Sequence, residues 1–142
     1  MQKPPRIVND TNVWLSALYF LGKPAQIVYL IEEKNLISIT SNAILDELKE
    51  KMIVNFQTPT FAANGTVSYI QSISELVSLQ GRDFGLRDAA DNMVLETAVL
   101  GKCSFLITGD KDLLTLKKYK NLQVVTPSQF LNQHKTTLRF LF

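Results

Sequence analysis

Short apolar runs recur along this chain, each closed off by polar residues. RIVN (6–9), LISIT (36–40), SFLIT (104–108) and LQVVT (122–126) are brief and rich in β-branched residues, the pattern of strands buried on both faces. ELVSL (75–79) is a weaker strand candidate. The intervening segments carry a helical period instead. PAQIVYLIEEKN (24–35) sets Pro24 in a first turn and repeats apolar residues at Ile27, Leu30 and Ile31. SNAILDELKEKM (41–52) starts on Ser41 as N-cap and aligns Ile44, Leu45, Leu48 and Met52. PTFAANGTVSYIQSI (59–73) is ambiguous, because Val67, Ile70 and Ile73 suit a helix and Gly65 opposes one. DAADNMVLETAVLG (88–101) is capped by Asp88, carries Val94, Leu95 and Ala98, and stops at Gly101. TPSQFLNQH (126–134) reads as a last short helix with Pro127 near its start. Strands alternating with helices predict an α/β fold, a mostly parallel sheet covered on both sides. In such sheets functional groups gather beyond the carboxyl ends of the strands.

Composition narrows the class. A chain of 142 residues with 46% apolar content and no repeat or low-complexity tract suits one globular domain. Its core is expected over about residues 6–130, with a C-terminal tail at 131–142. The net charge of +2 neither requires nor excludes a nucleic-acid partner. The single cysteine, Cys103, rules out an internal disulfide and is expected to be an inert core residue. The opening MQKPPRIVND has no apolar signal core, and no run is long enough to span a bilayer, so a cytoplasmic protein with no membrane association is expected.

Candidate chemistry lies where the apolar runs stop. RIVN is followed at once by Asp10, Thr11 and Asn12, and SFLIT is followed by Gly109 and Asp110. If these strands are parallel neighbours, both aspartates emerge at one sheet edge. Glu47 borders the apolar stripe of its helix and can reach over that edge. Asp91 lies in the first turn of a helix that the loop QGRDFGLRD should return to the same end. Taken singly, each acid has an ordinary use as a turn former, a helix cap or a surface residue. Brought together they raise one another's pKa and need a counterion. Carboxylates without His or Cys partners suit Mg²⁺ or Mn²⁺ rather than Zn²⁺. The only histidine, His134, is expected at the surface, and Trp14 in the core.

The ordered segments IVNDTNVWLSAL, SNAILDEL, DAADNMVLETAVLGK and FLITGDKDLL resemble the PIN-domain family, and most closely its bacterial toxin members of the VapC-like kind. The resemblance runs from about Arg6 to Phe130. It implies a three-layer α/β/α fold and a Mg²⁺- or Mn²⁺-dependent ribonuclease. By resemblance the catalytic and metal-holding acids are Asp10, Glu47, Asp91 and Asp110. Asn12 and Thr108 match supporting polar positions, and Asp88 and Asp112 are accessory candidates. The implied partners are an RNA substrate, a small antitoxin protein that covers the acidic groove, and a second copy of the chain in a homodimer.

Arg82, Arg87, Lys111, Lys117 and Lys118, with Lys120, could rim the site for an RNA backbone; the lysine run reads equally well as a solvated helix face. Tyr119 among them could stack on a base. The apolar chain end at Phe140, Leu141 and Phe142 could pack on a partner or on the domain. A haloacid-dehalogenase-type phosphatase is disfavoured because Asn12 stands where a second Asp is needed. A phospho-receiver domain is disfavoured because TPSQF offers no lysine after the last strand. The alternative of another class is a catalytically weak PIN-fold module that binds RNA or protein without turnover.

Overall fold

A computed structural model describes residues 3–134. The strands β1 (Arg6–Asn9), β2 (Ile37–Thr40), β3 (Ser74–Leu76), β4 (Phe105–Ile107), β5 (Lys118–Tyr119) and β6 (Leu122–Val125) form one sheet in the order β3-β2-β1-β4-β6-β5. All pairings are parallel except that of β5 with β6. The helices are α1 (Thr11–Tyr19), α2 (Gly22–Glu32), α3 (Asn42–Phe56), α4 (Thr60–Ser72), α5 (Ala89–Leu100), α6 (Lys111–Leu114) and α7 (Pro127–Gln133). The result is a three-layer α/β/α fold. The tail residues Phe140, Leu141 and Phe142 lie outside the described residues.

Strand alternation sorts the core into two layers. Phe105 points at α7, where its ring meets Phe130 edge-on at 5.1 Å. Val8, Ile39 and Leu106 share one register and one face, and Ile39 lies against the end of α5 at Gly101. Ile7, Val8, Ile39, Leu106 and Ile107 are all fully buried, which explains why the central strands read as unbroken apolar runs. Trp14 is buried, as expected of it. Cys103 is buried too, and burial pushes its thiol up to about 12, so it stays neutral and unreactive.

Several local readings need correction. Ser41 stands at the N-cap of α3 but makes no capping bond; its hydroxyl hydrogen-bonds Thr97 Oγ1 of α5 at 2.9 Å and so pins the two helices together. The segment 59–73 is helical through Gly65. The lysine run is not a helix face. Lys118 and Tyr119 pair with β6, and Lys117 and Lys120 take positive φ values of 58° and 53° on either side. His134 is not a free surface residue. It stacks on Phe130 at 4.5 Å, and its Nδ1 lies 3.0 Å from the Phe130 carbonyl oxygen.

Two glycines differ in what a methyl group would meet. At Gly65 nothing lies within 4 Å, so Gly65→Ala reduces unfolded-chain entropy at no steric cost. At Gly101 the same atom would stand 2.4 Å from Ile39 Cγ2, inside the packed sheet–helix contact. Thermal melting should show Gly65→Ala stabilised by about 0.5–1 kcal/mol and Gly101→Ala destabilised by about 1–3 kcal/mol.

Candidate metal centre

The ends of β1 and β4 are tied together by the acid that follows β1. The Asp10 backbone N–H donates to the Ile107 carbonyl at 2.9 Å. Its side chain caps α1, with Oδ1 accepting from the Thr11 N–H at 2.7 Å. Oδ2 accepts from the Thr108 hydroxyl at 2.7 Å. The same hydroxyl oxygen accepts from the Asp110 N–H at 2.9 Å. Asp110 in turn caps α6, accepting at Oδ1 from the N–H groups of Asp112 and Leu113 at 2.8 and 3.4 Å. Each strand therefore ends in a carboxylate because a helix begins there and needs an acceptor for its first amides.

Asp91 reaches the same edge from the first turn of α5, and is buried with 6% of its surface exposed. Among the described residues no group donates a hydrogen bond to its carboxylate. Burial, then the nearby charge of Asp110, with Asp88, Asp10 and Asp112 behind it, pushes Asp91 up to about 6. Asp10 is raised as well, by burial foremost, opposed by its bonds from Thr108 and Thr11 and reinforced by Glu47 and Asp110. Two neighbouring acids thus resist ionisation for the same reason.

Asp91, Asp110 and Asp112 form the tight group, each offering an oxygen, with those atoms all within 4.8 Å of one another. Asp10 flanks them. Glu47 lies outside that group, and its charge bears on Asp10. It pairs with Lys51 at 3.2 Å, and the same ammonium reaches Asn12 Oδ1 at 3.2 Å. Asp88 spends its carboxylate on capping α5 at the Ala90 N–H, 2.8 Å away. An all-oxygen donor set without His or Cys fits a hard divalent cation such as Mg²⁺ or Mn²⁺.

The positive residues divide. Arg87 Nη2 donates to both oxygens of Asp112, at 3.1 and 3.0 Å, so it stands at the mouth of the acidic group. Arg82, Lys111, Lys117, Lys118 and Lys120 are exposed, and none has a carboxylate partner among the described residues. Reading by sequence passed over Glu96 and Asn92. Glu96 is buried, and its carboxylate accepts from three consecutive backbone N–H groups, Gln80 at 2.7 Å and Gly81 and Arg82 at 3.1 Å. One turn earlier, Asn92 accepts from the Phe84 N–H at 2.9 Å and donates to the Leu86 carbonyl at 3.1 Å. Two polar residues four apart on one helix, preceded by a loop with two glycines, were the available signal.

A family model for the PIN domain matches residues 6–112. The chain belongs to the PIN-domain family. It is also 31% identical over 141 residues to an uncharacterized protein of Methanocaldococcus jannaschii, MJ1680, with 90% of each chain covered. The span matched by the PIN-domain model takes in Asp10, Glu47, Asp91, Asp110 and Asp112, the last of which is its final residue. Among the described residues no helix is long and apolar enough to cross a membrane.

The raised Asp91 value sets the pH dependence of the metal-free protein. Between the ordinary 3.8 and about 6, the folded PIN domain holds a proton that the unfolded chain has lost. Stability should therefore fall as pH rises through that interval and level off above it, by about 2–3 kcal/mol. Asp10 contributes with the same sign. Urea unfolding in chelator across this range should show the fall, and Asp91→Asn should flatten it and raise stability near neutral pH by about 1–3 kcal/mol. Stability that climbs from acid to neutral pH would contradict the assignment.

Proposed function

We propose that this PIN domain is a metal-dependent ribonuclease that hydrolyses RNA phosphodiesters, and that it serves as the toxin of a toxin–antitoxin pair. The observation that carries the first part is the buried Asp91 carboxylate, without a hydrogen-bond donor among the described residues and raised to about 6 among like charges. A fold does not hold such a group for its own stability, and a cation relieves it. In this reading Asp91, Asp110 and Asp112 hold Mg²⁺ or Mn²⁺ with Asp10 beside them, and Glu47 completes the set at the Asp10 flank. The bound ion would activate a water and neutralise charge developing on the phosphate.

The protein's own groups do the positioning. Thr108 fixes Asp10 and the Asp110 backbone through one hydroxyl, so the two strand ends cannot splay. Lys51 holds Glu47 and Asn12 and moderates the negative charge there. Arg87, attached to Asp112, would meet an incoming phosphate in this reading. The toxin role rests on the sequence resemblance: a small antitoxin protein would cover the acidic groove, and the domain would work as a homodimer in the cytoplasm.

Purified protein should cleave a mixed RNA substrate with Mg²⁺ or Mn²⁺ and fail to do so in chelator. Asp10→Asn keeps the shape and removes charge, and should lower the rate by about a hundredfold or more. Expression of the wild-type chain should arrest growth, and Asp10→Asn should relieve the arrest. Cleavage indifferent to both chelator and substitution, or none at all, would favour the module that binds RNA or protein without turnover.

A further inference from the structure

The loop from Gln80 to Asp88 is short of apolar residues, yet it is held as firmly as a core element. Glu96 takes its first three amides, and Asn92 takes Phe84 and Leu86. Gly81 and Gly85 adopt positive φ values of 82° and 84°, and Asp83 closes the turn on the Gly85 N–H at 2.7 Å. The clamp presents three side chains in a fixed relation. The Arg82 guanidinium lies over the Phe84 ring, 4.4 Å from its centre. Its Nη2 donates to the Tyr119 hydroxyl at 3.1 Å. The Phe84 and Tyr119 rings meet edge to face at 5.6 Å, and Lys120 Nζ stands 5.6 Å from the Tyr119 ring. Two segments distant in sequence thus build one cationic, aromatic surface.

Three features of this surface select an occupant. Its charge is uncompensated, because Arg82 and the lysines of the hairpin lack carboxylate partners among the described residues. Its central group is a guanidinium held over an aromatic ring and bonded to a phenol hydroxyl, and a guanidinium is a group on which unpaired nucleobases stack. It also lies next to the carboxylate group, since Arg87, which holds Asp112, is only three residues past Phe84, at most about 11 Å of chain.

We propose that Arg82, seated on Phe84 and tied to Tyr119, is a stacking platform for an unpaired base of single-stranded RNA whose backbone continues past Arg87 to the acidic group. This deepens and rests on the ribonuclease reading, and it names the form of substrate: a paired base has both faces occupied by its neighbours and cannot use the platform. Glu96 and Asn92 are positioning residues, ordering the loop before RNA arrives.

Binding is the test, measured in chelator so that metal-dependent cleavage cannot consume the probe. Fluorescence anisotropy would compare oligoadenylate, a blunt-ended RNA duplex and poly-glutamate. The expected order is tight oligoadenylate, weaker duplex and negligible poly-glutamate. Arg82→Lys keeps the charge and loses the plane, and should weaken oligoadenylate by about fivefold or more with little change for the duplex. Arg82→Ala should also lower the salt dependence by about one counterion. Tyr119→Phe removes only the hydroxyl that steadies Arg82 and should give a smaller loss. Thermal melting of each variant separates lost binding from lost fold; Arg82 is exposed, so its variants should melt like the wild type. Arg82→Lys indistinguishable from wild type, equal binding of duplex and single strand, or poly-glutamate binding as well as RNA would each overturn the platform. Discriminating binding without any metal-dependent cleavage would sink the ribonuclease reading and leave the platform standing. Cleavage that is unaffected by Arg82→Lys in both KM and binding would do the reverse.

Discussion

The governing constraint is electrostatic. Ionised carboxylates crowded behind the ends of β1 and β4 repel one another, and burial of Asp10 and Asp91 removes the water that would screen them. The surrounding architecture serves to hold them there anyway. The parallel sheet delivers the strand ends to one edge, the helix starts at α1 and α6 supply amides to Asp10 and Asp110, and the Thr108 hydroxyl locks the two strands in register. Asp91 alone receives no such donor among the described residues. The cluster is therefore well braced mechanically, and its all-oxygen donor set is capable of coordinating a divalent cation.

Much of this was legible in the chain. The buried strands betray themselves because both faces are largely covered, so β1, β2, β4 and β6 appear as short, mostly apolar runs, interrupted only by Ser38 in β2 and Gln123 in β6. The acids at their ends were visible for the same reason: the apolar run stops where the sheet does. The helices α2, α3 and α5 announce themselves through their apolar period and, for α5, through the Asp88 cap.

The illegible parts have identifiable causes. The closeness of Asp112 to Asp91 is not readable locally, because the tight group exists only after β4 and α5 are packed. Helical phase gives the face of Glu47 and not its partner, Lys51 at 3.2 Å. The lysine run follows no amphipathic rule in either state, so only pairing with β6 reveals a strand. Glu96 escaped because a carboxylate inside a helix pattern normally means solvent, whereas here three backbone amides from a distant loop fill its valences.

The two edges of the sheet have a consequence of another kind. β3 is three residues long, and β5 only two, flanked by Lys117 and Lys120 in left-handed conformations that carry no strand further. A rim this short and this charged offers almost no template on which a second sheet could dock its backbone. The lysines at the β5 edge therefore oppose edge-to-edge strand pairing between copies, which is the route to fibrils, and leave association through other faces open.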